Sequence, residues 1–329
     1  MVMANQKAVG VLNKIAITTT SFGKYDKEPL NLLKENGFKI ILNPYGRKLK
    51  KEEVIELCRD AVGIIAGTEI LDADVLEKLT QPSVLTSQTS LKVISRCGTG
   101  LDNIDLNAAK RLGVKIYNTP NALTLAVAEL TVGLILNLLR KINQMDISIK
   151  HSKWEKLMGN LLSAKKVGII GFGRIGRKVA ELLIPFGCEI RYYDIKEEFR
   201  DLGIEGFRDK DYEMIKLEEL LRISDIISIH VSSKEQIIGE NEIRMMKKGS
   251  WLVNVARGGV VDENALYMAL KERHLAGAAV DVFEQEPYTG PLIELNNVIL
   301  TPHIGSYALE TRVEMERQAV ENLLKGLRD

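Results

Sequence analysis

Residues 167–176 read VGIIGFGRIG and decide the fold, because an apolar β-type run leads through three glycines into a helical pattern. Gly171 permits a tight turn, Gly173 lets the backbone approach a pyrophosphate, and Gly176 lets helix and strand pack closely. The free N–H groups at the helix start then face the anion. The stretch predicts a strand that turns into a helix over a bound phosphate.

A carboxylate follows the next β-type run, which covers 188–193. Asp194 lies 194 − 176 = 18 residues after Gly176, about where a ribose-binding acid lies in dinucleotide-binding folds. A carboxylate there accepts hydrogen bonds from both ribose hydroxyls and repels a 2′-phosphate, which favours NAD over NADP even with Lys196 nearby. The alternative roles for Asp194 are a helix N-cap and a solvated turn residue.

Length and composition limit the classes of protein. The 329 residues are enough for about two domains, each with its own core. A hydrophobic fraction of 45% with 27% charged residues is typical of a soluble globular protein. The formal net charge of +1 gives no global field for nucleic acid or an acidic membrane, so the expected partner is a small-molecule substrate.

The cysteines and the apolar segments indicate a cytoplasmic protein. Cys58, Cys97 and Cys188 are far apart and lack CxxC spacing, which favours a reducing compartment and argues against a disulfide scaffold and a metal site. Residues 1–10 lack the basic start and apolar stretch of a signal peptide. The most apolar segment, 122–139, contains polar residues and predicts a buried helix rather than a membrane span.

Short β-type runs alternate with helical stretches along the whole chain. In the first part the runs are 14–18, 38–42, 62–66, 92–96 and 114–117. In the second part they are 166–170, 188–193, 225–229, 250–254, 276–280 and 298–300. Helical patterns include Glu240–Lys248 and Ser306–Leu327. This alternation predicts two α/β domains, each a doubly wound parallel sheet with helices on both faces.

Three side chains come shortly after the last three runs, at the edge where open α/β sheets bind ligands. Arg257 offers a fork for a carboxylate, Glu286 a carboxylate, and His303 an imidazole that transfers protons. Alone, each has an ordinary alternative: a surface ion pair, a solvated turn or a structural histidine. Together, beside a nucleotide motif, they favour hydride transfer between a nicotinamide and a carbonyl. His230, at the end of another run, borders the cofactor or is structural.

Several segments match, in the same order, the motifs of a known family. They are Arg96–Asp105, Ala126–Leu130, the glycine loop, Asn254–Gly259, Asp281–Pro287 and Thr301–Gly305. On these segments the chain resembles the D-isomer-specific 2-hydroxyacid dehydrogenases over nearly its whole length.

The resemblance implies roles for the reacting groups. Arg257 would bind the substrate carboxylate and carbonyl, Glu286 would orient the histidine, and His303 would be the acid and base. Composition alone does not choose Glu286 over Glu284, whereas the resemblance does. Further expected substrate-binding residues are Gly98, Thr99, Gly100 and Arg96. A plain glycine turn is the alternative for the first three.

The resemblance also places the cofactor, with Asp281 holding the nicotinamide carboxamide. The residues expected to bind NAD are Gly171, Phe172, Gly173, Arg174, Ile175, Gly176, Asp194, His230, Ala256 and Asp281.

The family architecture implies that one domain is discontinuous. A flavodoxin-like substrate domain would comprise 1–118 plus 305–329, and a Rossmann NAD-binding domain would be inserted as 119–304. A cleft would lie between them, and the helix at 122–139 would form a two-fold homodimer interface.

Two further segments bear on the identity of the substrate. Residues 66–69 and 95–98 are most similar to members described as phosphoglycerate dehydrogenases, which implies 3-phosphoglycerate and serine biosynthesis. Better known members carry arginines where Thr68 and Glu69 lie here. Glu69 would repel a phosphate, so Arg96, Arg47 or Lys48 would have to bind it. The alternatives are a glyoxylate or hydroxypyruvate reductase and a non-catalytic, NADH-sensing protein similar to the corepressors of this architecture.

Overall fold

The computed structural model of the chain describes residues 13–81, 91–196 and 212–328. The chain divides into two compact units. The first unit is Met1–Leu123 with Ala308–Asp329, and the second is Thr124–Tyr307. The predicted domain boundaries, after residues 118 and 304, lie a few residues before the two boundaries of these units.

Strands and helices alternate along the described residues. The strands are β1 (Lys14–Ile17), β2 (Lys39–Leu42), β3 (Ala61–Ala66), β4 (Val93–Arg96), β5 (Lys115–Asn118), β6 (Lys166–Ile170), β7 (Glu189–Tyr193), β8 (Tyr212–Met214), β9 (Ile226–Ile229), β10 (Trp251–Asn254), β11 (Gly277–Val280) and β12 (Val298–Leu300). The helices are α1 (Glu28–Glu35), α2 (Lys51–Cys58), α3 (Ala73–Thr80), α4 (Leu106–Arg111), α5 (Thr124–Arg140), α6 (Ile142–Lys150), α7 (Arg174–Leu183), α8 (Leu217–Ile223), α9 (Glu240–Met245), α10 (Glu263–Lys271) and α11 (Leu309–Arg328).

The first unit contains a parallel sheet of order β2-β1-β3-β4-β5. This is the flavodoxin-like order, in which the chain reverses its direction across the sheet between β1 and β3. Apolar side chains cover both faces of the sheet. Leu33 of α1 and Leu323 of α11 are buried on one face, and Val54 of α2 and Leu76 of α3 are buried on the other.

The second unit contains a parallel sheet of order β12-β11-β10-β9-β6-β7-β8. Read from β8, the order is that of a Rossmann fold with one additional strand, and the chain reverses between β6 and β9. The two sheets together confirm the predicted fold class.

The apolar helix α5 lies within the second unit. Its buried side chains, among them Val127, Ile135 and Leu138, face α7 and the strands β10, β11 and β12. Burial within its own unit therefore accounts for these apolar positions of α5.

Three elements differ from the sequence prediction. The predicted helix Ser306–Leu327 begins at Leu309 and ends at Arg328. The predicted helix Glu240–Lys248 ends at Met245, and Met246 is already extended. Lys247, beyond the helix, forms an ion pair of 2.5 Å with Asp225. The edge strand β8 is not predicted, since its three residues form no apolar run.

Candidate active site

The glycine loop lies at the carboxyl end of β6, beside the point where the second sheet reverses direction. Gly171 has φ +91° and donates its N–H to the Tyr193 carbonyl at 2.8 Å. Helix α7 begins at Arg174 with Gly173 as its N-cap, and no side chain caps its first N–H groups. Arg174 is exposed and Ile175 half-buried. A helix start of this kind binds anions.

The three glycines meet different surroundings. A Cβ at Gly176 would overlap the Gly171 carbonyl oxygen, and a Cβ at Gly171 would lie 2.8 Å from the His230 carbonyl. A Cβ at Gly173 would meet no atom of the described residues within 4 Å beyond its chain neighbours. The loop is therefore packed against its helix and leaves open space above Gly173, which fits a dinucleotide pyrophosphate.

Asp194 follows β7 and contacts the glycine loop directly. Its Oδ2 accepts the Phe172 N–H at 2.6 Å, and its Oδ1 accepts the Lys196 N–H at 2.9 Å. The buried Phe172 ring stacks on Tyr192 with ring centroids 3.7 Å apart. Asp194 thus forms an Asx turn and also holds the loop that precedes α7.

His230 follows β9, on the other side of the same reversal point. It donates its backbone N–H to the Ile170 carbonyl at 2.7 Å, and its Nε2 lies 2.8 Å from Ser228 Oγ. Burial lowers the pKa of His230 to about 3, so the ring is neutral at physiological pH. Its buried Nδ1 has no hydrogen-bond partner among the described residues. These contacts give His230 a structural role and leave one ring nitrogen for a ligand.

Arg257 follows β10 in a turn held by Asn254. Asn254 is buried; its Oδ1 accepts the Ala256 N–H at 3.1 Å, and its Nδ2 donates to the Arg257 carbonyl at 3.2 Å. The half-buried Arg257 donates from Nη1 to the Ala256 carbonyl at 2.7 Å. This turn fixes the start of the guanidinium side chain at the carboxyl edge of the sheet.

The loops after β10 and β11 are packed against each other. A Cβ at Gly258 would overlap the Phe283 carbonyl. The Glu284 N–H donates to Glu263 Oε1 at 2.8 Å. Only a glycine at position 258 allows the two loops to approach this closely.

His303 and Glu286 form the central pair of the site. His303 Nδ1 lies 3.0 Å from Glu286 Oε2, and Glu286 Oε1 also accepts the Phe283 N–H at 3.2 Å. The carboxylate raises the pKa of His303 above its usual value, chiefly through this hydrogen bond. Nδ1 faces the carboxylate, which leaves Nε2 for proton transfer.

Asp281 organises the turn that carries His303. Its Oδ1 accepts the Thr301 hydroxyl at 2.6 Å and the Ile304 N–H at 2.8 Å, and its Oδ2 accepts the Gly305 N–H at 3.0 Å. Burial raises the pKa of this carboxyl above its usual value. His303 itself has φ +54°, and its N–H donates to the Asp281 carbonyl.

In the first unit, the predicted substrate-binding loop follows β4. The Gly98 N–H already donates to Thr119 Oγ1 at 2.9 Å, and the Thr99 carbonyl accepts from Asn118 Nδ2 at 2.7 Å. The N–H groups of Thr99 and Gly100 donate to no described residue. Two of the three predicted N–H donors therefore remain available for an anion.

The half-buried Arg96 folds back over this loop. It donates from Nη1 to the Cys97 carbonyl, and a Cβ at Gly98 would overlap the guanidinium. Gly98 has φ +146°, which only glycine adopts without strain. The Arg96 side chain thus packs against the turn at Gly98.

Asn254 and Thr301 are the positioning residues that sequence reasoning missed. The spacing of Asn254 to the Ala256 N–H is that of an Asx turn and is visible in the sequence. The contact between Thr301 and Asp281 joins residues 20 positions apart and has no local signal.

The described residues contain neither a metal-binding cluster nor a helix that could cross a membrane. No group of three or more His, Cys, Asp and Glu side chains is arranged to hold a metal ion. Likewise, no described helix has the length and apolarity that a membrane crossing requires.

Comparison with known proteins identifies close similarities. The sequence model of the "D-isomer specific 2-hydroxyacid dehydrogenase, NAD binding domain" matches residues 132–305. The chain is 40% identical to a glyoxylate reductase of Thermofilum pendens, over 84% of this chain and 82% of that one. It is 40% identical to a D-3-phosphoglycerate dehydrogenase of Methanocaldococcus jannaschii, over 85% of this chain but only 52% of that one. A Thermus thermophilus protein of known crystal structure matches with TM-score 0.85 and 32% identity, over 96% and 97% of the two chains.

Proposed function

This chain belongs to the D-isomer specific 2-hydroxyacid dehydrogenase family, and we propose that it interconverts a D-2-hydroxyacid and its 2-oxoacid through Arg257, Glu286 and His303. The observation that carries these assignments is the hydrogen bond of 3.0 Å between His303 and Glu286, at the same edge of the sheet as the glycine loop. The cofactor is of the NAD type, and when bound it supplies or accepts the hydride.

His303 moves the proton. In the direction of reduction, protonated His303 donates from Nε2 to the carbonyl oxygen of the oxoacid. In the direction of oxidation, the neutral ring removes the hydroxyl proton through the same nitrogen. Glu286 accepts a hydrogen bond from the Nδ1–H group throughout and so fixes the tautomer and stabilises the imidazolium. Arg257 binds the substrate carboxylate as a planar two-donor fork, which a lysine could not replace.

The first unit is the substrate domain in this proposal, and the second is the nucleotide domain. The free N–H groups of Thr99 and Gly100 would bind the substrate carboxylate, and Arg96 would hold their loop in place. The Gly98 N–H is engaged by Thr119 and would support the loop instead.

The second unit would bind the dinucleotide across the reversal point of its sheet. The pyrophosphate would lie over Gly173 and the α7 start, the ribose hydroxyls on Asp194, and the carboxamide on Asp281. Ala256 and His230 would line the nicotinamide end. Because a carboxylate at 194 would repel a 2′-phosphate, we infer a preference for NAD over NADP.

A substrate panel tests the reaction. Purified protein with NADH should reduce at least one of glyoxylate, hydroxypyruvate, phosphohydroxypyruvate and pyruvate. His303→Ala should lower kcat by about 10²–10⁴, whereas His151→Ala, at the exposed end of α6, should retain full activity. Turnover of none of the four acids, or an unchanged His303→Ala rate, would rule out the proposal. Turnover of the phosphorylated acid would allow a role in serine biosynthesis.

A homodimer is part of the same proposal. Side chains exposed after α5 supply an apolar surface: Trp154 is 82%, Met158 88% and Leu161 72% exposed. We expect this segment, with the exposed Leu125 of α5, to face a second copy. Light scattering should give twice the chain mass, and Trp154→Asp with Met158→Asp should give a monomer. A monomeric parent protein would contradict the dimer.

A cytoplasmic location is also inferred. The described cysteines are free and buried, and burial raises the pKa of Cys97 and Cys188 to about 11. Such thiols suit a reducing compartment.

A further inference from the structure

The reversal point of the first sheet is filled by a carboxylate of the protein itself. This sheet reverses between β1 and β3, and ligands of open α/β sheets bind at such points, beyond the carboxyl ends of the strands. Thr18 directly follows β1, and Gly67 and Glu69 follow β3. Thr18 and Glu69 are 2% and 1% exposed, so both side chains point into the protein.

Hydrogen bonds hold Glu69 in this place. The Thr18 hydroxyl donates to Glu69 Oε1, and the Gly67 N–H lies 3.0 Å from the same oxygen and 2.9 Å from Thr18 Oγ1. Asn103 Nδ2 donates to the Glu69 carbonyl at 2.5 Å and fixes the loop backbone. The Gly67 N–H, a donor that an incoming anion would need, is therefore already occupied.

The negative charge of Glu69 has no cationic partner within the described ranges, because no lysine or arginine there forms an ion pair with it. Arg47, one of the residues that the sequence suggests for a phosphate, is bound by both Glu53 oxygens at 2.6 and 2.8 Å. Arg96 donates to the Cys97 carbonyl. The carboxylate is thus held by a hydroxyl and an N–H and is not neutralised by a lysine or arginine of the described residues.

We propose that Glu69 selects against phosphorylated substrates, so that the protein acts on 2-hydroxyacids and 2-oxoacids whose carboxylate is their only anionic group. The inference rests on the proposed function and narrows its substrate class. A phosphate ester carries about two negative charges at pH 7. In general, two negative charges about 10 Å from a fixed carboxylate are repelled strongly enough to lower kcat/KM on the order of tenfold. The substrate carboxylate is common to both classes and does not contribute to the difference.

The experiment compares hydroxypyruvate with phosphohydroxypyruvate, which differ only in the phosphate. The wild-type protein should have the higher kcat/KM for hydroxypyruvate. Glu69→Gln keeps the shape and an acceptor for Thr18 but removes the charge, and it should raise relative activity on phosphohydroxypyruvate about tenfold. Glu35→Gln removes an exposed charge at the far end of α1, at the opposite edge of the sheet, and should leave the ratio unchanged.

A second measurement does not depend on how well the variant folds. Salt screens a repulsion between charges, though less for a buried carboxylate than for an exposed one, so raising ionic strength should raise the wild-type ratio of phosphohydroxypyruvate to hydroxypyruvate kcat/KM by a small amount. A ratio that falls with salt would indicate net attraction of the phosphate and would overturn the inference. A wild-type preference for phosphohydroxypyruvate, or an unchanged ratio in folded Glu69→Gln, would overturn it while leaving the proposed function intact. Turnover of no oxoacid would remove the proposed function and this inference with it.

Discussion

Replacing Glu286 by glutamine tests the proton-transfer pair most directly. In Glu286→Gln the new amide oxygen would still accept the His303 Nδ1 proton, so the ring keeps its orientation. The negative charge that favours the imidazolium is lost, and the pKa of His303 should therefore fall. Reduction needs the protonated ring, and its rate declines as pH rises through this pKa. The declining limb should move to lower pH in the variant, and the rising limb of oxidation should move the same way.

The size of the shift follows from the geometry. Two charges about 4 Å apart interact by about 1 kcal/mol in bulk water and by about 4 kcal/mol at an effective dielectric constant of about 20. The side chains of His303 and Glu286 are 52% and 40% exposed, so solvent screens the pair and the lower part of the range applies. Since about 1.36 kcal/mol corresponds to a tenfold change in an equilibrium constant, we expect the reduction rate at a fixed pH on the declining limb to fall by up to about tenfold.

The assay is the pH profile of kcat/KM for oxoacid reduction with saturating NADH, which reports the pKa of His303 in the enzyme–NADH complex before the oxoacid binds. Glu284→Gln is the matched control, because Glu284 lies two residues from Glu286 and its bond to Glu263 is made by its backbone N–H, which the substitution keeps. Its profile should match that of the parent protein. A Glu286→Gln limb that stays in place or moves to higher pH would refute the pairing as the cause of the raised pKa.

Three further predictions concern the cofactor loop and the His303 turn. Gly176→Ala should lower the melting temperature, since overpacking costs about 1–3 kcal/mol. Gly173→Ala should leave the melting temperature unchanged and weaken NADH binding in a fluorescence titration. Equal effects of the two changes on both measurements would contradict this prediction. Asp194→Asn keeps an acceptor for the Phe172 N–H but loses the charge, so the ratio of NADPH to NADH kcat/KM should rise about tenfold; an unchanged ratio would exclude Asp194 from cofactor choice. Asp281→Ala leaves three donors without their acceptor, and each unsatisfied donor costs about 1–3 kcal/mol of stability. The variant should therefore have a lower melting temperature and a lower kcat. A variant as stable as the parent protein would show that these bonds do not hold the turn.

The strands were predictable because strands buried on both faces of a parallel sheet read as apolar runs. Each of the eleven runs corresponds to a strand of the structure, with ends that differ by at most one residue. The edge strand β8 lacks such a run, and Lys247, just beyond the end of α9, pairs with Asp225, 22 positions away. Neither feature has a local signal. The sheet orders also depend on contacts between distant segments, and only the resemblance indicates them.

The site was predictable where its residues have a local signal in the sequence. The spacing of glycines and the position of side chains after strands point to the glycine loop, Arg257 and His303. Composition cannot choose between the glutamates at 284 and 286, since the choice depends on which carboxylate reaches His303. The orientation of Glu69 could not be predicted either. The sequence suggests that its side chain faces a ligand, whereas in the structure it points inward to Thr18.

Asp281 is expected to bind the cofactor, and it also holds the turn that carries His303. The resemblance gives it the nicotinamide carboxamide as a ligand, whereas the structure gives its carboxylate three donors from the turn around His303. A carboxylate has about four lone-pair sites, so one acceptor site remains for an N–H of the carboxamide. The two roles are therefore compatible, and a single rigid group would set the position of the proton-transferring ring and of the nicotinamide at once. A shift of Asp281 would misplace both partners of the reaction together, which is why its replacement should reduce kcat beyond any loss of cofactor affinity.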